Sequence, residues 1–153
     1  MTVLQSATAE RVASNYRTLW VGAPGPPGDP ETPKTDAIAY VSESAPSVVV
    51  LTVVSDLFPS DVTVEEADAG PESEAVATIP VRDAGPIVIA SPTGGEVHRL
   101  PVVLAPGWFR VWVEVEGRGT ARELEQVWDY DTDEGWDSRP TAERWRLTYV
   151  REK

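Results

Sequence analysis

Cysteine is absent from the chain, and histidine, methionine, phenylalanine and lysine are scarce. With no cysteine there can be no disulfide and no thiolate metal ligand. That fits a reducing compartment, and a cytoplasmic location is expected. The one histidine, His98, sits in a strand-like stretch, VHRLPV, with no second histidine at H-x-x-x-H spacing. It is a poor candidate for a metal ligand or a catalytic base. No G-x-S-x-G occurs, so no nucleophile elbow is indicated. No cofactor and no metal are expected, and an enzyme is the least favoured class. Long apolar runs are missing too. The longest, Val48 to Val54, is interrupted by Thr52 and is far too short to span a membrane. The opening MTVLQSATAER has no basic region followed by an apolar one, so no signal peptide is expected.

Positive charge is the other shortage. Thirteen basic residues face 25 acidic ones, a net charge of −12. Such a chain repels nucleic acid and anionic membranes, so a partner, if there is one, is expected to be a basic protein. Eleven of the basic residues are arginine and two are lysine. Together with abundant Ala, Val, Gly and Pro, this reflects the coding bias of a GC-rich bacterial genome.

At 153 residues the chain is expected to form one domain. Such a length buries roughly 70% of its unfolded surface, so no staples are needed. The clearest pattern is LAPGWFRVWVEVEG, residues 104–117. Pro106-Gly107 is a turn signal. After it, Phe109, Val111, Val113 and Val115 alternate with Trp108, Arg110, Trp112, Glu114 and Glu116. Period two predicts a half-buried strand. Ser47–Val54 is continuously apolar and predicts a fully buried central strand. Short strands are expected at 37–42, at 61–67 with Val62 and Val64 inward, at 74–81, at 86–90 and at 96–104. Thr93-Gly94-Gly95 is a hairpin-type turn. The last strand is expected at 143–150, with Trp145, Leu147 and Tyr149 on one face. Residues 3–20 fit helical and strand spacing alike, although the aromatic, β-branched YRTLWVG favours a strand. Residues 22–35, dense in proline, predict a surface loop.

Beyond Gly119 the period changes. Thr120 to Glu123 matches a capping box, and Ala121, Leu124, Val127 and Trp128 follow at helical spacing. A short helix is expected there, lying over Trp108 and Trp112. The fold class is therefore mainly β: a two-sheet antiparallel β-sandwich with one short helix near the C-terminus.

Three constellations bear on function. Asp129, Asp131 and Asp133 imitate a calcium loop, but Gly135 falls one place late and Pro140 stands where a bidentate glutamate is required. A solvated acidic loop is the favoured reading. The segment 123–137 holds seven acids and no base: Glu123, Glu125, Asp129, Asp131, Asp133, Glu134 and Asp137. Tyr130 and Trp136 are interleaved with them. Carboxylates steer a basic protein and aromatics anchor it, so these nine residues form the candidate partner-binding patch. A second acidic cluster runs from Glu65 to Glu74. Trp108, Arg110 and Trp112 could alternatively form a platform for a sugar or another small ligand.

SNYRTLWVG (residues 14–22), the proline-containing loop after it, and LPVVLAPGWFRVW (residues 100–112) occur in an order that resembles the competence protein J family. That family inhibits a competence-associated DNA nuclease. The Pro106-Gly107-Trp108-Phe109-Arg110-Val111 stretch is also similar to one carried by small acidic bacterial β proteins. The resemblance implies a β-rich, non-catalytic inhibitor or immunity protein directed at a nuclease or toxin. It carries over no binding residue.

Overall fold

The computed structural model describes residues 1–22, 37–43, 45–92 and 97–153, and of residues 83 and 84 the backbone only. The expected loop at 22–35 and hairpin turn at 93–95 lie almost wholly outside these. Among the described residues, eight strands and one α-helix follow in chain order: β1 (Val3–Val12), β2 (Thr18–Gly22), β3 (Ala39–Val41), β4 (Val48–Thr52), β5 (Ser60–Ala67), β6 (Ala77–Ala90), β7 (His98–Glu116), α1 (Arg118–Gln126) and β8 (Glu143–Arg151). Residues 3–20, ambiguous in sequence, form strands on either side of a tight turn.

The fold is mainly β, but the two-sheet antiparallel sandwich is corrected. The strands form a single sheet in the order β1-β5-β8-β7-β6-β2-β4-β3. It is a mixed sheet, because β5 and β8 run parallel from Ser60↔Glu143 to Ala67↔Val150. One apolar cluster draws on β1, β2, β4, β5, β6, β7 and β8, so the sheet curls around its own core. Two long strands make the curl possible. Register shifts between Asp83 and Gly85 and between Pro86 and Val88 bend the β6–β7 pair.

Pro106-Gly107 is not a turn: the chain passes through it within β7. Gly107 pairs with Asp83 and Leu104 with Gly85, so two residues of β7 stand opposite one of β6. A bulge tolerates the proline, which has no N–H for the ladder.

The period-two expectations for β7 and β8 hold. Phe109, Val111, Val113, Trp145, Leu147 and Tyr149 are buried, and Val115 packs against them. Val62 and Val64 face the same core. At the far edge, the Gln5 side-chain amide pairs with β7. Its Nε2 donates to Val103 O at 2.8 Å and its Oε1 accepts from Val103 N at 3.0 Å.

The helix starts earlier than the capping box indicated. Its N-cap is Gly117, at φ 91°, and no side chain caps it. A Cβ on Gly117 would also meet Ala142 O at 2.0 Å, so only glycine fits. Thr120 therefore falls inside the helix. Nor does α1 cover the two tryptophans. Ala121 and Leu124 pack with Phe58, Ala142 and Trp128 in a separate small cluster. Trp108 stays 54% exposed, and Trp112 is approached by Gly70, where a Cβ would come within 2.7 Å of the indole. The tryptophans occupy one face, but the strand's cover comes from the loop after β5.

Candidate functional site: the acidic segment 118–139

Residues 118–139 leave the sheet, run along its side and return as β8. Their position is fixed by arginines. Arg118 donates from Nη1 to Thr52 O at 2.7 Å and lies 3.4 Å from Glu143 Oε2. Glu143 is buried and also accepts the Val54 N–H at 2.6 Å. Burial pushes the Glu143 carboxyl above its ordinary range, against the pull of the Val54 N–H and Arg118. The same burial lowers Arg118, opposed by Glu143.

Arg139 holds the other end. Its Nη2 meets Asp133 Oδ2 at 2.6 Å and its Nη1 donates to Leu57 O at 3.1 Å. The guanidinium lies over the rings of Trp128 and Trp136, at 5.1 and 5.8 Å. Arg11 adds two bonds, to Arg139 O at 2.9 Å and Trp136 O at 2.8 Å. The Arg139 hydrogen bond, helped by the Gly135 N–H, holds the Asp133 carboxyl below its ordinary range.

The nine predicted patch residues separate into two groups. Asp133 and Trp136 are half-buried and belong to the scaffold around Arg139. Asp129 is exposed but also shapes the chain, since its Oδ1 accepts the Asp131 N–H at 2.9 Å. Glu125 is half-buried, 3.8 Å from Arg17. Glu123, Tyr130, Asp131, Glu134 and Asp137 are exposed. Among the described residues, Glu123, Asp131, Glu134 and Asp137 enter no ion pair. Between them stand Val127, 77% exposed, and Tyr130, 71% exposed. Exposed carboxylates and two exposed apolar side chains thus share one segment. Two depressions of about 380 and 290 Å³ flank Trp128; Tyr130 lines the first, and Val127 with Glu134 the second.

Sequence reading missed Val127 as a surface residue, because helical spacing placed it inward. It missed Arg11 and Arg139 because they lie outside the acidic run. The Asp129–Gly135 stretch forms a short 3-10 turn at Tyr130–Thr132. Among the described residues no three His, Asp or Glu side chains are grouped to hold a metal ion. The alternative ligand platform is dispersed: Trp108 is open, Arg110 is paired with Glu152 at 3.0 Å, and Trp112 lies against Gly70.

No family model matches the chain, and no curated protein matches it. Solved structures do. A crystal structure of ComJ from Bacillus subtilis, described as inhibitor of the DNA degrading activity of NucA, superposes with a TM-score of 0.59. The match covers 99% of this chain and 98% of that one, at 11% identity. The fold is that of ComJ. A protein described as crocagin biosynthetic gene J also superposes over 100% of both chains, with a TM-score of 0.51 and 17% identity. The ComJ fold thus tolerates nearly complete replacement of its sequence. Among the described residues no helix is long and apolar enough to cross a membrane.

Proposed function

We propose that this chain is a non-catalytic binding protein that docks on a basic nuclease or toxin and blocks it. The contact is the outward face of 118–139. The observation that carries the reading is the exposure of Val127 and Tyr130 together with Glu123, Asp131, Glu134 and Asp137, unpaired among the described residues, on one arginine-anchored segment. Apolar area with an acidic rim suits a basic protein: the carboxylates speed encounter, and the apolar centre supplies the lasting contact. The fold shared with ComJ, described as a nuclease inhibitor, supports the same class of activity.

The test reverses Glu123, Asp131, Glu134 and Asp137 to lysine together and leaves Asp133, which anchors Arg139, untouched. Immobilised wild-type protein is expected to capture a basic nuclease from the host extract and to suppress its cleavage of DNA. The fourfold variant, still folded by circular dichroism, is expected to lose both. Equal capture by the two proteins would sink the reading.

A further inference from the structure

Three non-glycine residues have positive φ among the described residues: Arg11, Tyr16 and Arg17. Arg11 lies at the β1 irregularity and grips the end of the acidic segment. Tyr16 and Arg17, at φ 52° and 55°, form the centre of the turn between β1 and β2. Thr18 N donates to Asn15 O at 2.9 Å across it. Such a turn favours Asn-Gly at its centre. Here a tyrosine and an arginine occupy it, and Tyr16 is 63% exposed. Asp56 clamps the turn, its Oδ1 accepting from Ser14 Oγ at 2.7 Å and from Arg17 N at 2.9 Å.

The turn borders the larger depression, whose walls include Arg17, Asp56, Leu57, Glu125, Trp128 and Tyr130. Two carboxylates face one guanidinium there. The Arg17–Glu125 pair is 3.8 Å apart, with Arg17 exposed and Glu125 half-buried, so an incoming group displaces it at little cost. An anion would meet Asp56 and Glu125. An apolar group would leave Glu125 without a partner. A cation would gain the Glu125 carboxylate and the electron-rich ring of Tyr130.

We propose that this depression receives an arginine or lysine side chain of the basic partner, with Tyr130 in its wall and Tyr16 on the turn that borders it. The identity of the partner as a basic protein rests on the reading above; the preference for a cation does not. The probe is N-acetyl-arginine amide, titrated into the full chain while the Tyr16, Trp128 and Tyr130 ring signals are followed by NMR. Saturable shifts at these rings are expected with a Kd on the order of millimolar, as befits one side chain. N-acetyl-glutamate amide is expected to produce none. Tyr16→Asn, which suits the left-handed turn, is expected to weaken the probe about tenfold without lowering Tm. Glu125→Gln is expected to weaken it several-fold.

Shifts spread evenly over all carboxylate neighbourhoods, no shift at all, or full affinity in both variants would each overturn the proposal. A lower Tm for Tyr16→Asn would also overturn it, because the ring would then be a packing element. The fourfold lysine variant keeps the turn and Glu125. If it loses nuclease capture while the probe fails on wild type, only the depression proposal falls. If the probe binds as expected but capture is unaffected by the reversal, only the partner reading falls.

Discussion

The curled sheet and the 118–139 segment are held by opposite means. In the sheet, Phe109, Val111, Val113, Trp145 and Leu147 are buried in one apolar cluster, and stability comes from many small contacts. In the segment, beside the small cluster of Ala121, Leu124 and Trp128 on Phe58, a few guanidiniums reach backbone carbonyls and carboxylates: Arg118 to Thr52 and Glu143, Arg139 to Leu57 and Asp133, Arg11 to Trp136 and Arg139. A surface that must face water outward cannot be secured by burying both sides. Directional bonds hold it from below and leave its outer carboxylates exposed. The segment should therefore loosen without the sheet, whereas damage to the sheet core should reach the whole molecule.

Phe109→Ala should do the greatest damage, costing about 4 kcal/mol by loss of buried area and creation of a cavity. Chemical denaturation should show the whole molecule destabilised. A loss confined to the acidic segment would contradict the contrast. Glu143→Ala comes next, at about 2–3 kcal/mol, since it strands Arg118 and the Val54 N–H; partial exposure of Arg118 keeps it below the cost of a fully buried pair. Hydrogen exchange should quicken first at the start of α1 and at 52–54, while the centre of β7 stays protected.

The smallest and sharpest test is pH. The Asp133 carboxyl is held low by Arg139, so its contribution is present above the ordinary aspartate value and lost as pH falls through the depressed one. The Glu143 carboxyl is raised by burial, so its contribution has the opposite sign. It is present below the ordinary glutamate value and fades as pH rises through the raised one. Asp133→Asn should abolish the acid-side loosening of the segment, read as exchange at 133–139. Glu143→Gln should abolish only the decline that begins just above the ordinary glutamate value. If either variant removes both slopes, the anchors are not separable.

Alternation made β7 and β8 legible, because one face meets oil and the other water. The β-branched apolar run likewise revealed β4, although it lies next to the edge strand β3 and not at the centre of the sheet. What stayed hidden was how strands join. Pro106-Gly107 reads as a corner in any local window; only the opposing β6 register makes it a bulge. The parallel β5–β8 pairing links residues far apart in the chain, and no local pattern encodes that. The acidic patch was visible as composition, but its division into anchors and free carboxylates depends on Arg139. That side chain's reach is set by the fold. The left-handed backbone at Arg11, Tyr16 and Arg17 has no sequence sign, since none of them is glycine, asparagine or aspartate.

The Gln5 amide has a further consequence. A sheet that curls without sealing presents two raw borders, each a template for a neighbouring molecule's backbone. By mimicking a peptide unit against Val103, Gln5 of the border strand β1 occupies the hydrogen-bonding groups of β7 beyond its last pairing with β8, at Phe109. One side chain thus acts as a zip-stop: it keeps an incompletely sealed cylinder from lending its seam to strangers.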